Sequence, residues 1–175
     1  MVSFKIVLII FLTIILLTAA INDFRFQKIP NWLTLFTVTV GVILHTCTSG
    51  WKGFFFSIGG MFLGLALLMA FYLKGGMGAG DVKLMGAVGG ILGPGGVFAA
   101  FLGTALIGGV YAIALLALGG EIPDLVSRYG AMLKTFFFTH RMAYIPPAKK
   151  TTRPALRYGV AIAIGTMLSV FIKGI

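Results

Sequence analysis

"VSFKIVLIIFLTIILLTAAI", residues 2–21, carries a single charged side chain, Lys5, in twenty positions. Twenty apolar residues wound as a helix reach about 30 Å, the thickness of a bilayer's hydrocarbon core. The run has no period-two alternation, so a helix is predicted rather than a barrel strand. It can also be read as a signal peptide cut after "TAA". Its apolar core is long for that, and its first residues hold only one lysine, so a retained first span is the expectation.

The same pattern recurs down the chain. Of its 175 residues 59% are hydrophobic and 10% charged, and the mean hydropathy is +1.05. A soluble domain of this size could not bury so much apolar surface. Further spans are predicted over 31–47, 53–73, 97–119 and 155–173. Pro30 disfavours helix at Ile29, so the second span restarts there with Asn31 as N-cap and Trp32 at the interface. Gly60 and Gly64 have the four-residue spacing that lets helices approach closely. Between the third and fifth spans lies "VKLMGAVGGILGPGG", broken by Pro94 and its glycines. It leaves about twelve helical residues, or about 18 Å. The expected architecture is an all-α integral membrane protein. One membrane-embedded domain over 1–175 holds about six transmembrane helices, the fourth of them short. The longest polar connection, about 120–154, is predicted to be a cytoplasmic loop, with an amphipathic stretch at 124–138 lying on the membrane surface. No internal repeat is evident.

Fourteen lysines and arginines against four acids give a net charge of +10. In a membrane protein such an excess first reports topology. With the amino terminus outside, Arg25, Lys28, Lys74, Lys83, Arg128, Lys134, Arg141, Lys149, Lys150, Arg153 and Arg157 fall inside. Lys5, Lys52 and Lys173 fall outside. Eleven against three orients the chain. The excess therefore reads as contact with anionic membrane lipid and not as a nucleic-acid site. Cys47 is the single cysteine, and His45 and His140 are far apart in sequence, so no disulfide, metal site or cofactor is expected.

Under this topology all four carboxylates, Asp23, Asp81, Glu121 and Asp124, face the cytoplasm. Glu121 and Asp124 flank Pro123 and suit solvated or capping roles. Asp23 falls just past the end of the first span, where a helix dipole disfavours negative charge, although Arg25 and Lys28 could neutralise it. Asp81 precedes an apolar run and could be an ordinary N-cap. As a pair they suggest more. A fourth helix ending at the outer interface leaves its inner end recessed roughly 12 Å below the hydrocarbon surface. Such a recess must be lined by protein or water, and an ionisable group at that depth is a functional candidate. Two carboxylates converging there share a proton. One removes a proton from water while the other hydrogen-bonds a scissile carbonyl, which is peptide hydrolysis with no covalent intermediate. Gly78 and Gly80, ahead of Asp81, are expected to open unusual backbone angles and let an extended peptide approach. Lys83 could bias Asp81 toward ionisation, anchor a carbonyl, or simply snorkel to the interface.

At these residues the chain resembles the type IV prepilin peptidases, the bacterial branch of the GxGD intramembrane aspartyl proteases. Gly78-Ala79-Gly80-Asp81 matches the family signature and Val82-Lys83 continues it. Asp23 is followed, after five residues, by Ile29-Pro30-Asn31, as the family's first aspartate normally is. "RYGVAIAIG", 157–165, is similar to the family's final segment, with Arg157 where a proline is common.

The resemblance implies that Asp23 and Asp81 are catalytic, with Gly78, Gly80, Lys83, Ile29, Pro30 and Asn31 binding substrate or supporting the site. It implies a multi-pass enzyme of the bacterial cytoplasmic membrane, needing no cofactor. Its active site faces the cytoplasm and cuts short basic leaders from prepilin or pseudopilin precursors, typically after glycine. Larger members carry an amino-terminal insertion with paired cysteines associated with methylation of the new amino terminus. That cysteine-rich insertion is missing here, as in the minimal tight-adherence (Flp-type) branch, so methyl transfer is not implied. The rival reading is a small proton-coupled transporter subunit using the same aspartates. Neither acid lies mid-span, which leaves such a relay without a path across the membrane. The particular pilin and the oligomeric state stay open.

Overall fold

The computed structural model describes residues 2–119 and 158–173, together with single positions between 123 and 135. Four helices account for the two long stretches: α1 (Val2–Phe26), α2 (Asn31–Leu73), α3 (Ala79–Leu118) and α4 (Tyr158–Lys173). No strand occurs among the described residues. Three helices are long and apolar enough to cross a membrane, Ile6–Phe26, Asn31–Leu73 and Ala79–Leu118, and a shorter apolar helix covers Tyr158–Ile172.

Two of these helices fold back on themselves, and glycine makes each turn. Gly50 interrupts α2 with φ 58 and ψ −140. The His45 and Phe56 rings then stand 5.1 Å apart between centroids. On a straight helix those residues would be separated by about 16 Å along the axis. Gly93 interrupts α3 with φ 69 and ψ −177, a region open to glycine and strained for other residues. Pro94 follows as the first residue of the next helical stretch, a position that needs no N–H donor. The short helix expected ahead of Pro94 corresponds to the first half of α3, 79–92. Its length of about 21 Å still falls short of the roughly 30 Å hydrocarbon core.

The halves pack through glycine. The Ser57 hydroxyl donates to the Gly90 carbonyl at 2.6 Å, Gly60 lies backbone to backbone on Gly89, and Gly64 on Met85. These partner numbers run in opposite directions, so the second half of α2 is antiparallel to the first half of α3. Gly103 crosses Gly165 in the same way, and Gly108 faces Tyr158 and Ala161. Close backbone approach of this kind holds helices together where lipid removes the hydrophobic drive.

Packing, not hydropathy, separates the two faces of α1. Leu8, Leu12, Ile15, Leu16 and Ala19 are buried, while the equally apolar Ile6, Ile10, Ile14, Leu17 and Ile21 are exposed. Several buried or half-buried threonines on these helices are satisfied internally, whereas Thr166 Oγ1 on α4 is buried without a partner among the described residues. Thr13, Thr37, Thr46 and Thr104 each donate to the carbonyl four residues back.

The described chain forms two compact units. The first holds residues up to Gly108 together with α4, and the second begins at Gly109. In the second, the described positions between 123 and 135 are helical, and the Thr135 hydroxyl donates to the Ala131 carbonyl at 2.9 Å. The remainder of the loop expected at 120–154, with Glu121 and Asp124, lies outside the described residues.

Two boundaries differ from the sequence reading. Helix α1 runs to Phe26, so Asp23 stands inside its last turn instead of past its end. Gln27 stops it, at φ 51, with its N–H donating to the Asp23 carbonyl at 3.0 Å. Pro30, with φ −62 and ψ 133, is the N-cap of α2 and Asn31 its first helical residue. The proline ring fixes the extended entry, which frees the Asn31 side chain for another partner.

Candidate active site

Several helix ends of the first unit meet at one end of the bundle: the last turns of α1 and α2 and the first turns of α2, α3 and α4. Both glycine turns lie at the other end, where Gly93 is in contact with the Phe56 ring and Pro94 faces Gly59.

The four glycines around the junction of α2 and α3 have different tasks. Gly75, at φ 72, and Gly76 close α2, donating to the carbonyls of Tyr72 at 2.9 Å and Phe71 at 3.0 Å. These two bonds form a Schellman cap. Gly78 is the residue before α3, and Asp81 is the third residue of that helix. The Asp81 N–H donates to the Gly78 carbonyl and the Gly78 N–H donates to Asp81 Oδ2, both at 3.2 Å. The Asp81 carboxylate thus makes the returning half of a capping box, with the Gly78 backbone carbonyl in place of an N-cap side chain. Asp81 is therefore not the N-cap; it sits in the first turn, where the helix dipole favours an anion. Gly80 packs on Ile29: a Cβ there would stand 3.2 Å from the Ile29 Cβ. Neither Gly78 nor Gly80 has a positive φ, so backbone permissiveness is not their contribution. Closeness to Asp81 and to Ile29 is.

Asp23 comes from the last turn of α1, where that helix's dipole is unfavourable. Its Oδ2 accepts the N–H of Gly159 at 2.9 Å, from the first turn of α4. Asp23 and Asp81 are 7% and 8% exposed, and Asp23 is near enough for its charge to act on Asp81. Two of the four acids of the chain are thereby brought together, buried, from helices far apart in sequence.

The other sequence-predicted residues surround them. Ile29 is buried in the core beside Leu33. Pro30 caps α2. Asn31 Oδ1 accepts the Lys83 ammonium at 2.8 Å, an exposed bond joining the first turns of α2 and α3. Lys83 thus has a defined partner, and it is Asn31 rather than Asp81. Gly159 is the residue that sequence reasoning missed. It lies in the "RYGVAIAIG" stretch that resembles the family's final segment, but nothing there separates it from Gly165.

Fold and site together define an integral membrane protein of packed helices with a buried acidic pair at one end. The type IV leader peptidase family matches residues 10–113, more than half of the chain, and the match includes both aspartates. A curated relative, the prepilin leader peptidase/N-methyltransferase of Bacillus subtilis (strain 168), is 32% identical over 108 residues. That alignment covers 60% of this chain and 43% of the relative, so the chain spans less than half of the relative's length. No solved structure matches. The chain belongs to the type IV leader peptidase family.

Proposed function

We propose that this chain is an aspartic-type endopeptidase that removes the short basic leader from prepilin or pseudopilin precursors. The observation carrying the proposal is the meeting of Asp23 and Asp81, both buried, at a shared end of the helices. Carboxylates that act on one another in a low-dielectric site divide their roles: one is ionised and the other keeps a proton. The ionised group takes a proton from a water molecule, and that water attacks the scissile carbonyl. The protonated group hydrogen-bonds the carbonyl oxygen as it becomes an oxyanion, then its proton serves the leaving amine. Gly78, Gly80, Ile29, Pro30, Asn31 and Lys83 act by holding the first turns of α2 and α3 around the acids.

In this proposal the folded-back halves of α2 and α3, with α1 and α4, make six crossings. The acids lie at the cytoplasmic face of the bacterial inner membrane. Arg25, Lys28, Lys74 and Lys83, all exposed at helix ends on the side of the acids, support that placement. Membrane lipid surrounds the apolar faces, and the substrate's own apolar helix approaches from the bilayer. The methyl transfer named for the relative is not part of the proposal. A proton-coupled transporter is not favoured, since both acids belong to one end.

The test is co-expression of a precursor pilin with the wild type, Asp23→Ala or Asp81→Ala, following leader removal on a gel. Either substitution is expected to abolish processing while the protein still accumulates in the membrane. Processing that persists in both variants would remove the pair from the chemistry.

A further inference from the structure

We propose that Gly159 is a positioning residue for Asp23, making the first turn of α4 a third element of the site. The inference rests on the peptidase reading above and adds to it a residue from the far end of the chain. Two separate observations carry it. The Gly159 N–H donates to Asp23 Oδ2 at 2.9 Å. A Cβ at position 159 would also stand 2.8 Å from that oxygen and 2.9 Å from both the Cβ and the Cγ of Asp23. The carboxylate thus packs directly on the glycine backbone, and any side chain there displaces it.

The geometry answers a difficulty in α1. An acid in a helix's last turn faces unsatisfied carbonyls and the negative end of the dipole. Gly159 is the second residue of α4, a 16-residue helix, so its N–H has no acceptor within that helix. The unsatisfied donor of one helix thus offsets the unfavourable terminus of the other. Gly159 is buried, which keeps water from replacing the bond. Anchoring one oxygen of a short side chain with two torsions also sets where its other oxygen points, and that direction governs the attack on substrate.

Two measurements test the idea. In detergent-solubilised full-length protein cleaving a purified precursor pilin, Gly159→Ala is expected to lower kcat roughly 100-fold, the scale of an ångström's misplacement of a reacting group. KM should stay within about twofold. Val170→Ala, which trims a buried side chain elsewhere on α4, is expected to keep the wild-type kcat per folded molecule. The second measurement needs no activity: hydrogen exchange at the Gly159 amide, read by mass spectrometry. Exchange should accelerate at least roughly tenfold in Asp23→Ala, which removes its acceptor, and should not change in Asp81→Ala. A wild-type kcat in Gly159→Ala overturns the proposal, as does unchanged exchange in Asp23→Ala. If Gly159→Ala does not fold, the exchange result decides. If the wild type cleaves no precursor while the exchange coupling is present, the peptidase reading fails and the contact between Gly159 and Asp23 stands.

Discussion

Asp81 is held by its own neighbourhood, whereas Asp23 is held by a helix 136 residues away. The hydrogen-bonded turn of Asp81 closes within four residues, from Gly78 to Asp81, and the acid lies at the favourable end of its own helix. Asp23 lies at the unfavourable end of α1 and accepts a donor from α4. One carboxylate is thus organised by local turn chemistry that forms with the helix, and the other by a bond that needs completed tertiary packing. Local anchoring should tolerate small changes nearby. Long-range anchoring should transmit any disturbance of α4 to the acid.

The largest expected effect treats the two acids alike. Asp23→Asn and Asp81→Asn keep the side-chain shape but remove proton exchange. Each is expected to lower leader cleavage roughly 1,000-fold or more, measured with a purified precursor. A large loss in only one of them would mean that the differently held acids are also differently needed.

Next comes a position away from both acids. Gly60 and Gly89 touch backbone to backbone, so Gly60→Val must push α2 from α3. A loss of about 3 kcal/mol in resistance to unfolding by sodium dodecyl sulphate is expected, with the cleavage rate of the folded fraction kept. The third prediction sets the two anchoring glycines against one another. A Cβ at Gly78 would stand 3.3 Å from Asp81 Oδ2, against 2.8 Å for Gly159 and Asp23. Gly78→Ala should therefore lower kcat only about fivefold, equivalent to about 1 kcal/mol, far less than Gly159→Ala. Equal losses would remove the distinction between local and distant anchoring.

Smaller effects follow. Lys83→Gln breaks an exposed bond to Asn31, and cleavage is expected to change by less than about twofold because water replaces the partner. Gln27→Gly places glycine where the chain already has φ 51. It should stabilise the protein by about 0.5–1 kcal/mol in the same unfolding assay.

What could be read in the sequence follows the same division. The apolar runs, the interruptions around Gly50 and Pro94, and the candidacy of Asp23 and Asp81 all rest on local composition, and the helices appear where that composition puts them. Even so, α1 extends beyond its apolar run to Phe26, because Gln27 accepts a left-handed conformation that nothing in "NDFRFQKIP" announces. The glycines before Asp81 were legible as important but not in their tasks. Capping α2, donating to Asp81 and packing on Ile29 depend on which neighbours the fold supplies. The Lys83–Asn31 bond and the Gly159–Asp23 bond join residues 52 and 136 positions apart, and no local pattern encodes either distance.

The claim on which the rest depends is that α1 and α3 bring their acids together at one end, and a thiol cross-link tests it without reference to activity. Asp23→Cys and Asp81→Cys are combined with Cys47→Ser, which removes the exposed native thiol. Membranes are treated with a short thiol-specific bifunctional reagent, and the digested protein is read by mass spectrometry. The account predicts that peptides carrying positions 23 and 81 are recovered as a linked pair within one chain. Thiols labelled from opposite sides of the membrane, with no linked pair, would contradict it.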